Sequence, residues 1–210
     1  MEHKILIVGP QGSGKGTQAQ VLSKKFDLPI FSTGNILRYK IESGDETGKK
    51  VEGLMNDGIL VPDDLVNEII AEKIEKDGGR GYILDGYPRN LMQTRFLADK
   101  DELTHVLEVD ISDKEALRRI TGRRTCPKCQ IVYHLDYNPP KEQGKCDKCG
   151  VELIVRDDEK RETVEKRLAT YYSATKPIIE YYKEKGIHHL IDGEQSIENV
   201  SKDILKVLKK

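Results

Sequence analysis

The apolar run Ile5-Leu6-Ile7-Val8 leads straight into Gly9-Pro10-Gln11-Gly12-Ser13-Gly14-Lys15-Gly16-Thr17, and this junction constrains the fold more than any other stretch. It reads as a buried strand, a glycine-rich turn and the start of a helix. Glycine tolerates φ > 0, so such a turn lets consecutive backbone N–H groups converge on a phosphate. The helix N-terminus adds a partial positive charge and Lys15 adds a full one. The phosphate-loop pattern G-x-x-x-x-G-K-[ST] is matched at its first seven positions, Gly9 to Lys15. The chain then departs from it: Gly16 follows the lysine and the hydroxyl arrives one residue late, at Thr17. A plain strand–helix connector is the bland alternative, and it gives no reason for the lysine.

Further strand-like runs lie at Pro29–Ser32, Tyr82–Asp85, His105–Val109 and His188–Ile191, besides Lys4–Val8. Helical patterns separate them, among them Val66–Lys76 and Val164–Lys185, the latter interrupted near Pro177. Short apolar strands alternating with helices imply an α/β fold with a parallel five-stranded sheet covered on both faces. Binding sites in such sheets lie at the carboxyl ends of the strands, where the glycine-rich loop and Asp85 both fall. Two stretches break the alternation. Residues 33–62 are helical and glycine-punctuated, and residues 125–160 are rich in Cys, Pro, Gly and Lys.

That second stretch holds Cys126-Pro127-Lys128-Cys129 and, after sixteen residues, Cys146-Asp147-Lys148-Cys149. Two C-x2-C knuckles at this spacing can set four thiolates around one tetrahedral Zn²⁺. Disulfides and unliganded thiols are the alternatives, and disulfides do not suit a chain that begins without a secretory signal. Four thiolates fill the tetrahedron, so the expected metal is structural: Cys126, Cys129, Cys146 and Cys149 fold a segment too poor in apolar residues for its own core.

Composition agrees with a compact cytoplasmic enzyme. The 210 residues carry 35 basic and 36 acidic side chains, a net charge of −1, so neither nucleic acid nor an anionic membrane attracts the chain in bulk. No apolar run approaches the roughly 18 residues of a membrane span. Lys128, Lys141, Lys145 and Lys148 would suit a zinc-ribbon nucleic-acid-binding ATPase, but Asp136, Glu142 and Asp147 interleave with them. A solvated surface is the better reading of those lysines.

Taken with further segments, the shifted hydroxyl resembles the nucleoside monophosphate kinases. Thr33-Gly34-Asn35-Ile36-Leu37-Arg38 is similar to the S-T-G-D-x-L-R segment of adenylate kinases, with Asn35 for the aspartate. Leu84-Asp85-Gly86-Tyr87-Pro88-Arg89-Asn90 and Gln93 are similar to their L-D-G-[FY]-P-R-x-x-x-Q segment. Gly122-Arg123-Arg124, Tyr133-His134, Asn138-Pro139-Pro140 and Glu162 to Leu168 follow in the family's order. Pro10-Gln11 stands where a small residue and proline are usual. The resemblance spans essentially the whole chain and is to the type with a long, zinc-bearing lid. It implies a phosphate-loop core over 1–32, 62–124 and 161–210, an AMP-binding segment over 33–61 and a lid over 125–160.

The implied reaction is reversible transfer of the terminal phosphoryl group of MgATP to AMP, giving two ADP, by a monomer. A GTP–AMP phosphotransferase of the same fold is the runner-up. A monophosphate acceptor already presents an anionic oxygen, so the chemistry asks for positive charge rather than a base. Planar, always-charged guanidinium groups suit that task. The resemblance assigns phosphoryl-transfer charge to Lys15, Arg123, Arg156 and Arg167. It implies that Gly12, Ser13, Gly14, Lys15, Gly16 and Thr17 cradle the donor phosphates. Arg119, Val132, Tyr133 and the backbone near Gln195 then cover the rest of the donor. For the acceptor it implies Thr33, Arg38, Ile59, Leu60, Val61, Gly86, Tyr87, Pro88, Arg89 and Gln93, shared with Arg156 and Arg167. Gln93 favours an adenine acceptor, since a carboxamide both donates to and accepts from its edge. Asp85 is the candidate to orient Mg²⁺ through water. The Asp158-Glu159 pair stands for a family Asp-Asp pair and is expected to hinge the lid. Spacing puts Arg119 and Arg123 at i and i+4, on one face of the helix entering the lid. Asn35 is expected to cap a helix start.

Overall fold

The computed structural model describes residues 2–209, which leaves Met1 and Lys210, the outer ends of the expected core segments, outside the described range. The chain runs β1 (His3–Val8), α1 (Lys15–Phe26), β2 (Ile30–Ser32), α2 (Thr33–Ser43), α3 (Glu46–Asn56), α4 (Asp63–Asp77) and β3 (Gly81–Asp85). It continues through α5 (Leu91–Lys100), β4 (His105–Asp110), α6 (Asp113–Thr121), β5 (Arg123–Thr125) and β6 (Val132–His134). Further on come α7 (Arg161–Thr170), α8 (Pro177–Glu184), β7 (His188–Asp192) and α9 (Ile197–Leu208).

Five strands form one parallel sheet in the order β2-β3-β1-β4-β7, and every strand-like run of the sequence falls on one of them. Central β1 explains why its sequence is a continuous apolar run rather than an alternating one: both faces are buried. Ile5 and Ile7 pack with Ala19 and Leu22 of α1 and Val200 and Ile204 of α9. Leu6 and Val8 face the other way, into a cluster holding Phe31, Tyr82, Tyr87, Ile70 and Ile178. The chain leaves β1 toward β2 and β3 but leaves β4 toward β7, so direction switches between β1 and β4. A crevice opens at such a switch, beyond the carboxyl ends of the strands.

The stretch 33–61 is two helices, α2 and α3. Gly44 at φ 70° stops the first, and the Asp45 side chain caps the second by accepting from the Gly48 N–H. Between α6 and α7 the chain builds its other insert on the antiparallel β5–β6 ribbon. The small apolar cluster there is Cys126, Tyr133, Cys146 and Leu153, with Cys129, Ile131, Cys149 and Val151 against it. The expected helix over 164–185 is broken earlier than its proline suggests. A π-helical turn, Tyr171–Thr175, separates α7 from α8, and Pro177 opens α8 at a position where a missing N–H costs nothing.

Two local expectations are corrected. Arg123 is not on the helix with Arg119: α6 ends at Thr121, Gly122 caps it, and pairing of Arg123 with His134 pulls the chain into β5. Asn35 does not cap α2. Ser32 is the capping position, and the Asn35 side chain accepts from Arg38 Nη2 at 2.8 Å from within the first turn. No helix among the described residues is long and apolar enough to cross a membrane.

Candidate active site

The loop after β1 is shaped by contact with the next strand and helix. A Cβ on Gly9 would lie 2.2 Å from the Val109 carbonyl oxygen, and one on Gly12 2.9 Å from that of Ala116. Gly12 also sits at φ 84°, where side chains are strained. The loop therefore packs flat against β4 and α6 and delivers α1 with its first turn open. Gly14 is the capping residue, no side chain caps the helix, and no acidic residue stands in its first turn. Nothing on that helix competes with an anion for the exposed N–H groups.

Lys15, Arg38, Arg89, Arg123, Arg156 and Arg167 line one cleft of about 320 Å³ at this end of the sheet. Lys15 Nζ donates to the carbonyls of Gly9 and Pro10, each at 2.7 Å. Burial pulls its pKa from 10.5 down to about 7; Asp85 opposes the drop, while Arg89, Arg123 and Arg167 add to it. Burial likewise pulls Arg38 and Arg89 down to about 10, with neighbouring guanidinium groups adding to the effect. Arg123 is lowered too, again chiefly by burial. So many cations at close quarters favour a polyanion among them, because its charge relieves their mutual repulsion and offsets the cost of burying them.

Two buried carboxylates hold the arginines apart and in place. Glu159 Oε1 accepts from Arg123 Nη1 and lies against Arg156 Nη2, both at 2.9 Å, with the Glu159 side chain 1% exposed. Asp158 Oδ2 accepts from Arg167 Nη1 at 2.7 Å, and Oδ1 lies 3.1 Å from Arg156 Nε. Burial alone would raise the Asp158 carboxyl, but Arg156, Arg167, Arg38 and Arg123 outweigh it and keep it below the usual range. These carboxylates stand on a 3-10 turn, Asp157–Glu159, directly before α7, which carries Arg167. Arg38 Nε is buried without a hydrogen-bond partner.

Across the cleft, Thr33, Ile59, Leu60, Val61, Gly86, Pro88 and Gln93 line the wall next to Arg89. Arg89 is fixed at both backbone groups. Its N–H donates to Gln93 Oε1 at 2.7 Å, and its carbonyl accepts from Thr175 Oγ1 at 2.9 Å. Tyr87 is fully buried beneath, its hydroxyl donating to Asn67 Oδ1 at 2.7 Å. Asp85 lines the cleft at the end of β3 and accepts from Ser32 Oγ at 3.1 Å.

Gly12, Gly14, Gly16, Thr17 and Val132 share this lining, while Ser13 is buried behind the loop. Arg119, Tyr133 and Gln195 are not among it. Arg119 pairs with Glu115 at 2.6 Å and lies over the Tyr137 ring at 5.3 Å. Gln195 Nε2 bonds Asp203 Oδ2 at 3.0 Å. The neighbouring Glu194 carboxylate accepts from the Ser112 N–H at 2.8 Å, which holds that loop against the start of α6. The Tyr133 side chain turns into the cysteine cluster, its hydroxyl 3.6 Å from Cys146 Sγ. Residues not singled out from the sequence also line the cleft, notably Gln130, Thr170, Tyr171 and Thr175. Neither a motif nor a periodicity marks them. The π turn brings the last two in.

In the insert on the β5–β6 ribbon, the sulfur atoms of Cys126, Cys129, Cys146 and Cys149 all lie within 4.8 Å of one another. Tetrahedral Zn²⁺ with bonds of about 2.3 Å needs sulfurs roughly 3.8 Å apart, so the cluster fits that ion. The Cys129 N–H points at Cys126 Sγ at 3.3 Å, as expected of a metal knuckle. All four are free cysteines.

A family model described as adenylate kinase matches residues 7–187. The adenylate kinase of Thermoanaerobacter pseudethanolicus is 46% identical over 211 residues, covering 98% of this chain and 97% of its own. That of Archaeoglobus fulgidus is 45% identical over 212 residues, covering 98% of each. That of Caldicellulosiruptor bescii is 42% identical with the same coverage of both chains.

Proposed function

The chain belongs to the adenylate kinase family, a nucleoside monophosphate kinase that moves the terminal phosphoryl group of ATP to AMP and back, and we propose that its six convergent cations carry out that transfer. One observation carries the reading: Lys15 and five arginines surround a single cleft in which the buried carboxylates Asp158 and Glu159 have already fixed three of the guanidinium directions. Preorganised charge of this kind acts where negative charge develops and needs no reorganisation during reaction.

The loop Gly12–Thr17 and the open first turn of α1 hold the donor phosphates. Arg123, Arg156 and Arg167 span the gap between donor and acceptor. Thr33, Arg38, Arg89 and the Ile59–Val61 backbone hold the acceptor, and Gln93 reads its base. No side chain need act as general base, since the acceptor oxygen is already anionic. Asp85, opposite Lys15, would orient Mg²⁺ through water; that ion supplies neutralising charge to the donor phosphate oxygens when bound. Arg119, Val132 and the loop at Gln195 flank the donor base, a reading supported by the tie between Glu194 and Ser112 at the foot of α6. Tyr133 contributes through the lid that it packs.

Segments 33–61 and 125–160 act as the two covers, and closing them keeps water from the donor phosphate. The four cysteines hold structural Zn²⁺, which fits the close packing of their sulfurs. The working unit is a monomer, in keeping with a cleft assembled from one chain. The deciding experiment measures ADP formation with each nucleoside triphosphate against each monophosphate. ATP with AMP should be the preferred pair. Equal use of GTP would reassign the donor, and no transfer to any monophosphate would refute the reading.

A further inference from the structure

The Gln93 carboxamide is held by two groups that cannot exchange roles. The Arg89 N–H, which can only donate, meets Oε1 at 2.7 Å. The Asp63 carboxylate, which only accepts when ionised, meets Nε2 at 2.7 Å. In many proteins the two ends of such an amide are told apart only by inference from their neighbours, but here a donor on one side and an acceptor on the other leave one orientation. Asp63 also takes both contacts from Asn90 Nδ2, at 2.9 and 3.1 Å, which keys that second amide. Asn90 Oδ1 in turn accepts from the Gln93 N–H at 2.9 Å and starts α5. One carboxylate at the first residue of α4 thus sets the direction of two amides on a different element.

Gln93 is 2% exposed and lines the cleft beside Arg89. Each end of its amide has one valence left: a lone pair on Oε1 and a hydrogen on Nε2. That pair complements a 6-aminopurine, which offers an N–H at position 6 beside an acceptor nitrogen at position 1. A 6-oxopurine offers the reverse, an acceptor oxygen beside a ring N–H, and would need the amide turned over. Turning it would set Nε2 against the Arg89 N–H and Oε1 against the Asp63 carboxylate, two mismatches at once on a buried amide.

We propose that Asp63 is the specificity-determining positioning residue of the acceptor site, holding Gln93 in the orientation that admits a 6-aminopurine monophosphate and rejects a 6-oxopurine one. This rests on the acceptor assignment of Gln93 given above. Asp63 itself does not touch the base. Its effect passes through the amide, so it belongs in the choice between bases rather than in phosphate binding.

The test compares kcat/KM for AMP and IMP in wild type, Asp63→Asn, Asp63→Ala and Gln93→Leu, with melting curves to confirm folding. An asparagine at 63 can present its NH₂ or its oxygen, so one of the two keys is lost. The AMP-over-IMP ratio should fall about tenfold in both Asp63 variants, the effect expected when one buried mismatch of about 1.4 kcal/mol is removed. The change should appear in the KM of the monophosphates, with KM for ATP unmoved. A merely structural role would raise both KM values and leave the ratio alone. An unchanged ratio in the Asp63 variants, with a reduced one in Gln93→Leu, overturns the proposal and leaves the acceptor assignment standing. An unchanged ratio in Gln93→Leu overturns both.

Discussion

Gln130 Nε2, in the turn that follows the first cysteine knuckle, donates to Glu42 Oε1 on α2 at 2.6 Å. The bond joins the segment that carries the cysteines directly to the helical insert, between residues 88 positions apart in the chain. In the two-cover reading proposed above the bond forms only when both segments are down, so it should couple their closure. Such an exposed bond is worth roughly 0.5–1.5 kcal/mol. Gln130→Ala and Glu42→Ala should therefore each raise the KM of both nucleotides by roughly two- to tenfold, without a change in melting temperature. The double variant should be no worse than either single one. Additive effects in that cycle would mean the two covers close independently.

Lys15→Met should abolish most of the transfer while the protein stays folded. Loss of one preorganised charge at a developing anion typically costs about 3–4 kcal/mol, or 10²- to 10³-fold in kcat. Among the described residues the side chain bonds the loop's own carbonyls and the nearby Ser13 hydroxyl, so its loss should leave the fold standing. Steady-state rates with circular dichroism check this, and near-normal turnover would sink the loop assignment.

Nucleotide binding should take up a proton above neutral pH. Burial brings the free Lys15 ammonium down to about 7, whereas donor phosphates favour its charged form and raise it again. The complex then holds more protons than the free protein from about pH 7 up toward the ordinary lysine range. Through this group, affinity is fullest below pH 7 and declines as pH rises past it. Titration calorimetry of ATP at pH 8 in Tris and in HEPES should return an uptake of about one proton, abolished by Lys15→Met. Equal heats in the two buffers for wild type would contradict it.

Arg89→Ala should weaken AMP use far more than ATP binding. Both main-chain groups of Arg89 are tied down, and its Nε donates to the Gly86 carbonyl at 2.7 Å. The guanidinium is thereby committed to one wall of the cleft. Calorimetric titration of each nucleotide separates the two cases. Equal losses for both would remove the distinction between donor and acceptor walls.

Removing the lid metal, or replacing Cys126 and Cys129 by serine, should lower the melting temperature before it touches chemistry. The apolar cluster there is Tyr133 and Leu153 with Ile131, Val151 and the cysteines themselves, too small to fold alone. Metal binding free energy is folding free energy there, so several kcal/mol should be lost. At low temperature, with the lid still folded, much of the activity should survive; near the melting point it should vanish. Metal analysis and assays at two temperatures test this. A metal-free purified protein of unchanged stability would falsify the structural role.

Sequence alone determined the sheet and its loop, because both are encoded locally. A strand buried on both faces must be apolar throughout, as Ile5 to Val8 are, and a phosphate-binding turn must have glycine where the backbone meets β4. The knuckles were equally legible, since metal ligation demands cysteines at short, fixed spacing. Tertiary structure decided the rest. Helical spacing joined Arg119 to Arg123, but a two-residue margin at Gly122 put them on different elements with different carboxylate partners. Asn35 had the composition of a cap, and its side chain found Arg38 instead. Asp63 carries no motif at all. Its hold on Gln93 reaches across 30 positions of chain, and Thr175 reaches Arg89 across 86. A hydrogen bond depends on the final position of two atoms to within a few tenths of an ångström. No local pattern carries that information, and only the packed fold fixes which donor meets which acceptor.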